Sequence, residues 1–134
     1  MGKVTFQSQK VLLSVPVEQA YEFFYDLNNL RKLMPEQVIN WQSTESTCSF
    51  DIKGMAHIAL QHGECVPGQF VKIVSSAENP IDLEIKGIVN NLGENQTESL
   101  IELSADLSPM LQLMASAPLQ NLVKIMAERL MAAM

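Results

Sequence analysis

The sequence predicts an α+β domain in which a seven-stranded curved antiparallel sheet wraps around one long C-terminal helix, with two short helices between the first and second strands. Three observations carry this expectation. Six strand-like runs follow one another from Val38 to Ala105, separated only by short breaks rich in Gly, Pro, Asn and Ser, which suit hairpins rather than crossovers. The last two runs alternate cleanly: Leu83, Ile85, Gly87 and Val89 share one face, and Asp82, Glu84 and Lys86 share the other. A one-sided sheet needs an apolar cover, and the segment after Ser108 is the element long enough to supply it.

Taken in order, Thr5 to Val15 reads as the first strand, with Val11, Leu13 and Val15 opposed to Lys10, Leu12 and Ser14. Pro16 has the fixed φ suited to a helix start, and Glu18 places negative charge in the first turn. Val17, Ala20, Tyr21 and Phe24 then fall on one face of a short helix ending near Asp26. A second short helix is expected with Asn28 as its cap, running through Leu30, Leu33 and Met34 until Pro35 stops it. The six later strands are expected at Val38–Thr44, Thr47–Lys53, Ala56–Cys65, Gln69–Ser75, Ile81–Asn91 and Gln96–Ala105. Their breaks are Glu45-Ser46, Gly54-Met55, Pro67-Gly68, Glu78-Asn79-Pro80 and Leu92-Gly93-Glu94-Asn95. In the final strand Ile101, Leu103 and Ala105 lie opposite Glu98, Glu102 and Ser104. Ser108-Pro109 opens the long helix, whose apolar stripe runs through Leu107, Met110, Leu111, Met114, Leu119, Leu122, Val123, Met126 and Leu130. Pro118 inside this pattern removes a backbone donor and predicts a kink or restart, giving a short piece followed by a longer straight one.

Length and composition limit what such a domain does. All 134 residues form one domain, 1–134, without a linker or an internal repeat. A net charge of −6, with cations scattered singly apart from Arg31-Lys32, disfavours nucleic-acid phosphates and anionic lipid as partners. No apolar run approaches the ~20 residues of a membrane span, so stable membrane insertion is not expected. The N-terminal residues lack the apolar run of a secretory signal, and cytoplasm is the expected location. Cys48 and Cys65 are too few for a disulfide framework and have no Cys or His at metal-ligand spacing, which reads as two reduced thiols packing as small apolar groups. No Gly-rich phosphate loop is present, so neither a metal nor a cofactor is expected.

Particular stretches resemble a known group. Val15-Pro16-Val17-Glu18, Phe23-Phe24-Tyr25-Asp26-Leu27 and Leu30-Arg31-Lys32-Leu33-Met34-Pro35 resemble the opening of the START-like (SRPBCC) superfamily. That group includes polyketide cyclase-like proteins, pollen-allergen-like proteins and proteins similar to a small component of carbon monoxide dehydrogenase. Ser49-Phe50-Asp51-Ile52-Lys53-Gly54-Met55, Asp106-Leu107-Ser108-Pro109-Met110-Leu111 and Pro118-Leu119 look like a small bacterial subgroup of it. The resemblance covers nearly the whole chain and implies the helix-grip fold, with a cavity between the concave sheet face and the long helix. It implies binding of lipids, sterols, polyketides or partner proteins, with catalysis in some branches. No active-site motif of a cyclase or hydrolase matches this chain, a departure that favours binding over catalysis.

The candidate site follows from the expected cavity. Phe50, Ile52, Ile58, Leu60, Ile85, Ile101 and Leu103 fall on one register and face the helix, with Trp41 near the mouth; closed core explains each of them equally well. Of the eight methionines, Met110, Met114, Met126, Met131 and Met134 crowd the C-terminal end. Met110 and Met114 are candidates for an adaptable cavity gate, whereas Met126 reads as core. His57 and His62 lie five apart on one strand and so point to opposite faces; His62 shares the face of Ile58 and Leu60 and is the inward candidate, unless Gly63 beside it forms a bulge. The leading expectation is binding or transport of a small hydrophobic molecule such as a lipid, isoprenoid or polyketide-like ring. A cyclase or dehydratase using a buried His or Tyr is the alternative on the same scaffold. A protein-interaction or assembly module is the third: Tyr21, Phe23, Phe24 and Tyr25 cannot all face inward, which leaves Phe23 or Tyr25 to cover a cavity entrance or to join a homodimer.

Overall fold

The computed structural model of the chain describes residues 2–54, 56–76 and 82–134. Its strands are β1 (Gly2–Gln7), β2 (Val11–Leu13), β3 (Val38–Ser43), β4 (Thr47–Ile52), β5 (Ala56–Val66), β6 (Phe70–Ser75), β7 (Asp82–Gly93) and β8 (Gln96–Leu107). They form one curved antiparallel sheet in the order β1-β8-β7-β6-β5-β4-β3, with β2 also paired to β8. Helix α1 (Val17–Tyr25) and a 3-10 helix (Leu27–Leu33) separate β2 from β3, and α2 (Pro109–Ala133) closes the chain. The expected breaks at Gly54-Met55 and Glu78-Asn79-Pro80, and the strand start at Ile81, fall wholly or partly outside the described residues.

The sheet has eight strands rather than seven because the first expected strand is interrupted. Gln7 pairs with Glu102, but Val11 pairs with Ser99, so the register slips by one residue across Ser8-Gln9-Lys10. Ser8 bridges the slip: its N–H donates to the Ile101 carbonyl at 2.8 Å, and its hydroxyl accepts from the Ile101 N–H at 2.9 Å. A side-chain oxygen thus stands in for a ladder carbonyl, as at a bulge. Ser104, expected on the wet face, is buried there because β1 covers it and the Thr5 hydroxyl bonds it at 3.0 Å.

The second short helix is a 3-10 helix, and its cap is Asp26 rather than Asn28. The Asp26 carboxylate accepts the Asn28 N–H at 3.0 Å, and Asn29 reaches back to the Phe23 carbonyl at 3.3 Å. Side chains of Asp26 and Asn29 that bond nearby backbone groups favour a tight, short helical form over an α-helix. Helix α2 does not restart at Pro118: it runs as one helix from Pro109 to Ala133. Pro118 deprives the Met114 carbonyl of its donor, and both residues are exposed, so water can replace the lost bond.

The core sits between the concave face and the helices. Helix α2 packs on β8, β1, β2 and the 3-10 helix, while α1 crosses β6, β7 and β8. Ile58, Leu60, Val71, Ile73, Ile101 and Leu103 from the sheet meet Leu27, Leu33, Val123, Met126 and Leu130, all essentially solvent-free. Gly87 is a place of close approach. A Cβ there would lie 2.5 Å from the Phe24 ring, so the bare backbone lets α1 settle onto β7.

Candidate ligand groove

Most of the residues expected on the inner face are buried there, and they belong to the hydrophobic core cluster. Phe50, Ile58, Leu60, Ile85, Ile101 and Leu103 are buried within the cluster around Met126 and Leu130. Ile52 and Trp41 are half-buried at its edge. Met110 and Met114 do not face the sheet: they are 71% and 69% exposed, so the first turns of α2 gate no space beneath the helix. Helix periodicity explains this, since the buried side of α2 runs through Ala115, Leu119, Val123, Met126 and Leu130, and both methionines point away from it.

Open space lies instead beside the middle of α2. A groove of about 260 Å³ separates α2 from the ends of β3 and β4. One wall is Pro35, Gln37, Val38, Ile52 and Lys53; the other is Pro118, Leu119, Asn121, Leu122 and Ile125. The local chemistry of each wall accounts for its shape. Pro35 ends the 3-10 helix and turns the chain into β3, where Val38 pairs with Ile52 across the ladder. The Lys53 N–H donates to the Gln37 carbonyl at 2.9 Å, which holds the wall's far end together. Pro118, Leu122 and Ile125 recur at helical spacing on the flank of α2, a stripe offset from its buried face. Of the residues expected from sequence to bind a ligand, Ile52 alone lines this groove.

Trp41 owes its position to a bulge in β3. Ile39 pairs with Asp51 and Gln42 with Ser49, so Asn40 and Trp41 together oppose Phe50. Asn40 takes a positive φ of 56°, which Asn tolerates, and the indole then stacks on Phe50 at 5.2 Å with the rings nearly parallel. The indole N–H is buried without a partner among the described residues.

The two histidines separate as alternation requires. His57 is on the outer side, with Nδ1 2.6 Å from the Asp51 carboxylate. That carboxyl is held below the usual range, first by a 2.8 Å hydrogen bond from Asn40 and then by His57. His62 lies on the inner face at its margin, before the register shift in β5 that spans Gly63. Its Nε2 sits 2.6 Å from the Tyr25 carbonyl, an acceptor only, so Nε2 carries the proton; the ring stacks on Tyr25 at 4.4 Å. In α1, Phe24 is buried, Phe23 is half-buried beneath the Lys32 ammonium, and Tyr25 is 45% exposed. Burial raises the Tyr21 hydroxyl above its usual range, with the neighbouring Cys65 and Tyr25 adding to the effect.

A curved antiparallel sheet gripping a C-terminal helix, with short helices at the opening, defines the START-like helix-grip fold, and this chain has it. The chain superposes on a START superfamily protein from Mycobacterium smegmatis over 98% of its own length and 99% of the other chain, with a TM-score of 0.67 at 13% identity. A conserved protein from Geobacillus kaustophilus gives a TM-score of 0.72 at 12% identity, covering 97% of this chain and 94% of that one. The Zhui aromatase/cyclase from Streptomyces sp. R1128 gives 0.60 at 12% identity, covering 96% and 94%. No protein-family model and no curated protein matches the sequence, so the likeness is one of fold.

Proposed function

We propose that this protein binds, and serves to carry, a small hydrophobic molecule in the groove between α2 and the β3–β4 end of the sheet. One observation supports the reading most directly: two independent elements present apolar side chains to a space of about 260 Å³ that the core leaves unfilled. An apolar cavity of roughly 150 Å³ takes up a benzene ring, so by proportion this groove suits a ligand of about ten non-hydrogen atoms. A lipid-like chain or small ring of that size fits better than a sterol, which needs the larger pockets typical of drug-sized ligands. The START-like scaffold adds weight, since the aromatase/cyclase above shares it. A catalytic reading on the same scaffold has one acid–base candidate on the inner face, His62, and its ring is already engaged by the Tyr25 carbonyl.

The test uses a neutral probe of matching size. Octanol added to isotopically labelled protein is expected to shift the amide resonances of Val38, Ile52, Leu122 and Ile125, and Leu122→Trp, which fills the groove, is expected to abolish those shifts. Octanol that leaves these resonances unmoved, or moves them equally in Leu122→Trp with its fold intact, overturns the reading.

A further inference from the structure

We infer that the groove selects anionic amphiphiles, small molecules with an apolar body and a carboxylate head, and that Lys53 is the residue that reads the head; this rests on the groove being the binding site. The walls carry one charged side chain. Among the ten lining residues, Lys53 is cationic, Gln37 and Asn121 are neutral amides, and the rest are apolar. Lys53 is exposed at the turn after β4, and no carboxylate pairs with it among the described residues. Asp51, two residues before it at the end of β4, is already committed to Asn40 and His57 on the outer side of the sheet.

A second cation borders the same end. Arg129, one turn beyond Ile125 on α2, donates to the Met34 carbonyl at 2.5 Å and so holds its guanidinium beside the 3-10 helix end that leads into the wall. The exposed Glu36 is the one carboxylate between Met34 and Val38, and it is not among the lining residues. In a chain whose net charge is −6, the single charge within the lining is thus the Lys53 ammonium. An ammonium at the rim of an apolar slot favours a ligand whose tail enters the slot while its anionic head stays at the edge, where a charge-assisted hydrogen bond forms without burying either charge fully. The same arrangement repels an amine of equal length. The amides of Gln37 and Asn121 can donate to the second carboxylate oxygen.

The experiment compares octanoate, octanol and octylamine, which share one chain and differ in the head. Dissociation constants from amide shifts at neutral pH and low salt are expected to rank octanoate tightest, by about three- to tenfold over octanol, with octylamine weakest. Lys53→Met is expected to bring octanoate and octanol to the same affinity within the variant, Lys53→Arg to retain the difference between them, and added salt to shrink it. Octanol binding with no preference for octanoate, or a preference that survives Lys53→Met, overturns this inference while leaving the groove reading intact. Failure of all three to bind overturns the groove reading itself.

Discussion

Replacing Gly87 by Ala tests the packing of α1 on the sheet most sharply. The added Cβ would lie 2.5, 2.6 and 2.8 Å from the Cδ1, Cγ and Cε1 atoms of Phe24. Ordinary carbon contacts sit at about 3.5–4.0 Å, so the ring must retreat by roughly 1 Å. It has little room to do so: Phe24 is buried in the core and meets Phe23 edge-on at 6.3 Å. Overpacking of this kind costs about 1–3 kcal/mol. Ala is better than Gly in a strand interior by roughly 0.5–1 kcal/mol, which offsets part of that cost. The net expectation is a loss of about 1–2 kcal/mol, read as a urea midpoint lower by roughly 0.5–1 M with an unchanged slope. Phe24→Ala removes all three clashing atoms, so Gly87→Ala should cost under about 0.5 kcal/mol in that background, and a double-mutant cycle should report strong coupling. If Gly87→Ala is neutral or stabilising while Phe24 is present, or if its cost is unchanged in the Phe24→Ala protein, the contact does not set the fit of α1 on the sheet.

Two further outcomes are expected. Burial pushes the Cys48 thiol up to about 12, so at pH 8 only about one molecule in ten thousand carries the thiolate; Ellman's reagent should modify half-buried Cys65 in the native protein and Cys48 only after unfolding. Equal native reactivity of the two thiols would refute that assignment. Asp51 is held below its ordinary value of 3.8 by Asn40 and then His57, so its stabilisation is fully present above that value and is lost as pH falls through the lower folded one. Asp51→Asn should therefore lower the thermal midpoint near neutrality and flatten its decline below about pH 4, and parallel acid curves for the two proteins would contradict this.

The fold was legible because its periods are strong. Leu83, Ile85 and Val89 announce a one-sided strand, and Ser108-Pro109 followed by helical spacing announces the long helix that covers it. What escaped were features decided by single side chains. The hydroxyl of Ser8 interrupts a strand that alternation alone would continue, and Asp26 takes the capping role assigned to Asn28. The groove was hidden for a different reason. Alternation tells which face a residue joins, but not how completely the opposite element fills the space above it. Alternation therefore puts Phe50, Ile58 and Leu103 on the inner face while closed core and cavity wall stay equally open, and in the structure they join the cluster that holds Met126 and Leu130. The groove lies where α2 stops covering the β3–β4 end of the sheet. The one trace of it in the sequence is the stripe Pro118, Leu122 and Ile125, set to one side of the buried face.

Pro118 gives this opening a mechanical character. A helix resists bending through its ladder of carbonyl-to-amide bonds, and one rung is missing where the ring of Pro118 forms part of the wall. The halves of α2 on either side are fastened differently: the later turns are clamped into the core by Val123, Met126 and Leu130, while the first turns carry exposed Met110, Leu113 and Met114. Flexure is thereby concentrated at the end of the slot's helical wall, where Pro118 is the first α2 residue to line it. A guest longer than the resting space would extend past Pro118 by swinging the early turns outward about this pivot, leaving Leu122, Ile125, the clamped portion and the sheet beneath it undisturbed.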